Sequence, residues 1–178
     1  MGQKLTLLLG GASSGKNSYA QQLAHANGGS VLFEATVEAG DAEMQARIQV
    51  HRAERPANWQ TLEAPLNVAA ALSKEAVSAV VLLDCLTLLA SYVIPALPEP
   101  VDNEAAEEAL LTEVDALLGS HEHSAAHWIV ISNELGLVPP YPLGRIYRDA
   151  LGHANQRVAA AADEVLFMVA GLPMRVKG

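Results

Sequence analysis

The stretch Gly10-Gly11-Ala12-Ser13-Ser14-Gly15-Lys16 constrains this chain more than any other, because it stands directly behind the apolar run Leu5-Thr6-Leu7-Leu8-Leu9. Two glycines four residues apart and a lysine, set between a strand and a helix, form the pattern of a loop that wraps a phosphate. Gly10, Gly11 and Gly15 let backbone amides turn inward, and Lys16 can reach the β and γ oxygens. The helix that follows adds its positive dipole end. An ordinary Gly/Ser-rich turn has no need of strand, spacing and lysine together. The pattern breaks at Asn17, where a Ser or Thr hydroxyl would ligate magnesium. An amide oxygen is bulkier and differently placed, so metal binding is expected to be weakened or rearranged.

A phosphate loop of this kind needs strands alternating with crossover helices, and the rest of the chain supplies them. Runs of Val, Ile and Leu at 5–9, 31–35, 79–83, 128–132 and 165–170 read as strands buried on both faces of a parallel sheet. Gly171-Leu172-Pro173 is turn chemistry, after which 174–177 can fold back as an antiparallel edge. Helix patterns fall at 16–26, 41–54, 104–118 and 145–162. In the third, Leu110, Leu111, Val114, Leu117 and Leu118 make one stripe, with Gly119 placed as a C-cap. Pro95, Pro98 and Pro100 mark one loop, and Pro139, Pro140 and Pro142 another. The class is α/β. With 178 residues, no internal repeat and no long linker, one domain over 1–178 is expected.

Charge narrows the partners. A net charge of -9 argues against a nucleic-acid binder, which needs a basic face to displace counterions. The lone Cys85 allows no intrachain disulfide, and neither a secretory signal nor a run of about 18 apolar residues occurs. The expectation is a cytoplasmic protein with no membrane span.

A metal-bound phosphate calls for a carboxylate at the end of a second buried strand, and Val80-Val81-Leu82-Leu83-Asp84 has that form. Such an aspartate often only terminates a strand; its pairing with the phosphate loop favours the functional reading. The segment from Asp41 to Trp59 is more specific. On helical spacing Met44, Ile48 and His51 share a face, and Pro56 stops the helix. Lone histidines on such faces are usually structural. Arg47, Arg52 and Arg55 shift the balance, since guanidinium groups around an imidazole suit a site that handles phosphates. A histidine attacking an α-phosphate would need that arrangement.

Taken together, these motifs resemble the bifunctional adenosylcobinamide kinase and adenosylcobinamide-phosphate guanylyltransferase family of cobalamin biosynthesis. Beyond Gly10 to Lys16, the resemblance rests on Ala35-Thr36, Asp41 with Glu43-Met44, Ala46-Arg47-Ile48, His51, Arg55-Pro56, Trp59, Thr61 and Glu63. It continues through Leu83-Asp84-Cys85-Leu86-Thr87, Ser132-Asn133-Glu134, Arg148-Asp149, Asn155-Gln156, Ala162-Asp163-Glu164-Val165 and Gly171-Leu172-Pro173. It implies phosphorylation of the aminopropanol hydroxyl of adenosylcobinamide by ATP or GTP. It implies next the transfer of GMP from GTP to adenosylcobinamide phosphate through a guanylylated histidine, whose motif position is His51. The fold implied is a RecA-like P-loop NTPase: a mostly parallel sheet with an antiparallel C-terminal edge, helices on both faces, usually assembled as a homotrimer or another homo-oligomer. The nucleotide-binding residues implied are Gly10, Gly11, Ala12, Ser13, Ser14, Gly15, Lys16, Asn17, Glu34, Ala35, Thr36, Arg52, Ala53, Glu54, Arg55, Glu63 and Asp84, with Mg2+ on Asp84 and Asn17. For Glu63 chemistry adds its own reason, because a carboxylate accepts hydrogen bonds from guanine N1 and N2 and so prefers G over A.

Departures from the family pattern fall unevenly. Ser13 replaces the usual Arg of the loop, Asn17 the usual Ser or Thr, Val50 a frequent His and Tyr92 a frequent Asn. The stretch from Glu134 to Pro139 is about two residues shorter than its usual glycine-rich version. Two of these changes lie where a γ-phosphate and its metal would be held, so the kinase step is the one expected to be impaired. Two other readings remain beside the bifunctional enzyme. One is a small-molecule kinase without a covalent intermediate, which would have no use for the segment from Asp41 to Glu63. The other is a nucleotide-binding protein without catalysis.

Overall fold

A computed structural model describes residues 3–36, 56–136 and 141–178. Its strands are β1 (Lys4–Gly10), β2 (Val31–Ala35), β3 (Gln60–Glu63), β4 (Val80–Asp84), β5 (His127–Asn133), β6 (Glu164–Val169) and β7 (Leu172–Lys177). They join in one sheet of order β3-β2-β4-β5-β1-β6-β7. The pairings from β3 across to β6 are parallel, and β7 returns antiparallel to β6. The antiparallel edge expected after Gly171 is present and begins at Leu172.

The helices are α1 (Lys16–Asn27), α2 (Val68–Leu72), α3 (Leu86–Val93), α4 (Asn103–Glu122) and α5 (Pro142–Ala161), with a 3-10 turn at Ile94–Ala96. They cover both faces, and the strand residues divide accordingly. Leu8, Val31, Phe33, Val80, Leu82, Ile129 and Ile131 pack with Ala20 and Ala24 of α1. Leu5, Leu7, Val81, Leu83 and Val130 pack instead with Leu86 and Leu89 of α3, Leu110 and Val114 of α4, and Leu151 and Val158 of α5. Alternate side chains of one strand thus serve two cores, which is why the strands read as unbroken apolar runs.

Five sequence expectations change. α2 (Val68–Leu72), a five-residue helix, had no expected counterpart. β3 was not expected: it is a four-residue edge strand, largely exposed, with no buried run to reveal it. α3 was not expected either, because LTLLASYV is apolar nearly all round and follows an apolar strand without an intervening change of pattern. Gly119 does not cap its helix; α4 continues to Glu122, and its start is fixed by Asp102, whose side chain accepts from the amides of Glu104 and Ala105. Pro142 belongs to a helix rather than a loop. It opens α5, where its missing N–H costs nothing because the first-turn amides have no intrahelical partner. The helix expected at 41–54 lies outside the described residues.

Candidate active site

Parallel strands with right-handed crossovers bring their carboxyl ends to one edge, and the candidate residues gather there. β1 ends at Gly10, from which the loop turns through Ser13, at φ 56°, and Gly15, at φ 89°, into α1. Only glycine suits position 15: the backbone is left-handed, and a Cβ would lie 3.1 Å from the Gly171 Cα. At Gly10 a Cβ would meet Ser14 Oγ at 2.6 Å. The loop is held from inside by Ser14 N–H on Gly11 O at 3.3 Å and from outside by Gly171 N–H on Ser14 O at 2.9 Å. The β6–β7 turn therefore buttresses the phosphate loop, a role the sequence motif Gly171-Leu172-Pro173 did not disclose.

Lys16 is buried, and its Nζ donates to Gly11 O at 3.0 Å. Burial lowers its pKa, while the Asp84 carboxylate pulls it back up. An ammonium already stripped of water and held by one carbonyl of its own loop is poised to exchange that contact for phosphate oxygens.

Asn17 Nδ2 donates to Asp84 Oδ2 at 2.8 Å. The first turn of α1 and the end of β4 thus meet, as the two motifs required. Asn17 makes with its amide the link to the aspartate that a hydroxyl could make, and its amide oxygen is left as an acceptor. An amide oxygen and a carboxylate brought to one place are hard donors of the kind magnesium takes beside phosphate oxygens and water. Among the described residues no cluster of three or more His, Cys, Asp or Glu side chains could hold an ion.

Thr36 is fully buried beside this crest. Its hydroxyl donates to Cys85 O at 2.7 Å and accepts from Cys85 N at 2.8 Å, and its own N–H donates to Asp84 O at 3.2 Å. It fixes the backbone that carries the aspartate. Burial, with the charge of Asp84 adding, pushes the Cys85 thiol up to about 11, so it stays neutral. Ala35 is in the core on the α1 side. Glu34 is paired with Leu83 and Leu62, which pack on the opposite side. It is wholly buried, and its pKa is raised well above the usual carboxylate value by burial first and Asp84 second, with the Ala64 backbone N–H pulling the other way. Glu63 is exposed at the end of β3, in register with Ala35. His51, Arg52, Ala53, Glu54 and Arg55 lie outside the described residues.

Two further residues complete the crest. Asn133 ends β5 in register with Gly10, and its N–H donates to Thr87 Oγ1 at 3.0 Å. Asn155, buried on α5, donates to Asn133 O at 3.0 Å. β5 lies between the strand carrying the loop and the strand carrying Asp84, so Asn133 stands between the two motifs.

A mostly parallel sheet with a phosphate loop after its first strand and a carboxylate after β4, edged by an antiparallel pair, defines a RecA-like P-loop nucleotide-binding protein. The RadB recombinase crystal structure shares this fold with a TM-score of 0.52 at 17% identity, over 93% of this chain and 74% of that one. A family model described as cobinamide kinase / cobinamide phosphate guanyltransferase matches residues 6–176, and the chain belongs to that family. It is 46% identical to the bifunctional adenosylcobalamin biosynthesis protein CobP of Pseudomonas aeruginosa, over 97% of this chain and 96% of that protein. It is 36% identical to the bifunctional adenosylcobalamin biosynthesis protein CobU of Salmonella typhimurium, over 97% and 99% respectively. The chain is thus an enzyme of cobalamin biosynthesis, a cobinamide kinase and cobinamide phosphate guanylyltransferase.

Proposed function

We propose that the enzyme works in two steps on one acceptor, within a single domain spanning 1–178. In the first, the aminopropanol hydroxyl of adenosylcobinamide attacks the γ-phosphorus of ATP or GTP. The new P–O bond forms, the bond to the bridging oxygen breaks, the nucleoside diphosphate leaves and the hydroxyl proton passes to solvent. In the second, a neutral His51 nitrogen attacks the α-phosphorus of GTP and expels pyrophosphate. The phosphate of adenosylcobinamide phosphate then attacks the same phosphorus, the P–N bond breaks and adenosylcobinamide-GDP is formed with His51 restored.

The meeting of Asn17 with Asp84, beside a buried Lys16, carries the phosphoryl part of this reading. Positioning and charge are most of what such a transfer needs from a protein. Gly10 to Gly15 supply amides and Lys16 neutralises developing charge. Asn17 and Asp84 would hold Mg2+, which supplies charge neutralisation at the phosphates when bound. Arg52 and Arg55 would stabilise the α-phosphate without competing for protons, given their high pKa. Ala53 and Glu54 would line the nucleotide, Thr36 would hold the backbone that carries Asp84, and Glu63 would select guanine. The working assembly is a cytoplasmic homotrimer.

Incubation with α-labelled GTP and magnesium tests the histidine step. Protein-bound label should be acid-labile and base-stable, as a phosphorus–nitrogen bond is, and His51→Ala should abolish it. Full labelling of that variant would remove His51 from the mechanism and leave the reading of a kinase without a covalent intermediate.

A further inference from the structure

The nucleotide accounts for the crest but not for the surface beside it, where Arg148, Asp149 and Gln156 have no task in binding phosphate. Two cavities lie there. One, of about 360 Å³, runs between the end of α3 and the first turns of α5, walled by Ser91, Ile94, Pro95, Tyr141, Leu143 and Tyr147. The other, of about 450 Å³, is polar and lies between the start of α4 and α5, with Asn103, Glu107, Arg148, Asp149, His153 and Gln156 on its walls. Leu135, two residues beyond Asn133, lines both and joins them. Each volume falls in the range of about 300–1,000 Å³ usual for small-molecule sites.

We propose that this joined groove is the acceptor site, in which the corrin macrocycle lies with an apolar face on Leu143, Tyr141 and Pro95 and its peripheral amides on Asn103, Arg148 and Gln156. The inference rests on the two-step reading above and supplies its missing half.

Three observations carry it. The groove is tied to the phosphate loop by consecutive hydrogen bonds. Tyr147 OH donates to Thr87 O, Ser91 Oγ donates to the same oxygen at 3.0 Å, and Thr87 Oγ1 accepts from Asn133, the strand neighbour of Gly10. Neighbouring strands are about 4.8 Å apart, so Asn133, at the far end of this series of bonds from Tyr147, stands one strand from Gly10. The chemistry is divided as the ligand requires: a corrinoid is a broad apolar ring with an amide rim, and here an apolar trough adjoins a polar one. Tyr141 and Leu143 also remain substantially exposed, 54% and 42%, at the mouth of the apolar trough. Exposed large apolar groups beside a concave surface are what a bulky ligand covers. A larger cavity, of about 760 Å³, is walled by Leu32, Ser120, His123 and Trp128. It opens near the amino ends of β2 and β5, the wrong end of the sheet for an acceptor of phosphate.

Ser91→Trp fills the apolar trough and Leu143→Asp places a charge in it. Binding of adenosylcobinamide, followed by its visible absorbance, should weaken by about tenfold or more in both, equivalent to about 1.4 kcal/mol. Affinity for GTP should hold within about twofold, which also reports that each variant is folded. Acceptor affinity unchanged in both variants would overturn the groove while leaving the two-step reading intact. Equal losses for acceptor and GTP in both would overturn it too, since the groove would then serve the nucleotide. A wild-type protein that labels with GTP yet binds no adenosylcobinamide would overturn both the acceptor reading and the site.

Discussion

Asn17 Nδ2 and Asp84 Oδ2 are 2.8 Å apart, joining the helix that begins at the phosphate loop to the strand that ends in the carboxylate. An amide at this position keeps the link to Asp84 that a hydroxyl could make, but it offers its oxygen from a longer side chain. Asn17→Ser should therefore raise the rate of adenosylcobinamide phosphorylation several-fold, with guanylylation of the protein changed much less. Parallel assays of phosphorylated acceptor and of protein-bound GMP would check this. A brisk wild-type kinase left unmoved by the substitution would mean that the amide serves the metal as well as a hydroxyl would.

Thr36 offers a cleaner stability test, because its fully buried hydroxyl is engaged by both the N–H and the C=O of Cys85. Thr36→Val keeps the shape and leaves the buried Cys85 amide hydrogen without an acceptor. The expected loss is about 1–3 kcal/mol, read from urea midpoints. The kinase rate should fall further than folding alone explains, since the same backbone positions Asp84. A variant as stable and as active as wild type would return Thr36 to a passive place in the core.

How much of this was legible in the sequence depended on where each signal lay. β1, β2, β4, β5 and β6 were legible because strands buried on both faces must be continuously apolar. The meeting of Asn17 and Asp84 was legible because the two motifs answer one chemical need. β3 was not, since an exposed edge strand is selected by pairing with β2 rather than by burial. α3 was hidden because its eight residues, with Leu86, Leu89, Ala90 and Val93 turned inward, follow an apolar strand after Cys85 alone and are too few to stand out as a separate period. The buttress of Gly171 on the phosphate loop joins positions 157 residues apart, which no local pattern encodes.

That buttress gives a further prediction. At Gly15 an added methyl group would meet Gly171 at 3.1 Å, and the left-handed backbone would itself resist a side chain. Gly15→Ala should cost about 1–3 kcal/mol in strain and raise the KM for GTP and ATP together, because the amides of the loop can no longer converge on one phosphate. Thermal melts and nucleotide titrations would measure the two effects. An unchanged nucleotide KM would show that the loop moves freely of the β6–β7 turn.

Glu34 sets a pH dependence of the fold. Its carboxyl is wholly buried, and burial, then the nearby Asp84, raises its pKa well above the ordinary 4.5 against the opposing pull of the Ala64 backbone N–H. The folded state therefore retains a proton that the unfolded chain releases near pH 4.5. Below that pH both states carry the proton and this stabilisation is fully present. As pH rises toward the folded pKa it is lost, at up to about 1.4 kcal/mol per pH unit. Glu34→Gln cannot ionise. Compared with wild type it should gain relative stability steadily as pH rises above 4.5, then level off once the wild-type carboxyl has ionised in the folded state. Urea midpoints of the two proteins between pH 5 and pH 9 would show this difference. A difference that stays flat across that range would mean that the folded carboxyl ionises as readily as an exposed one, and that Glu34 finds a partner for its charge.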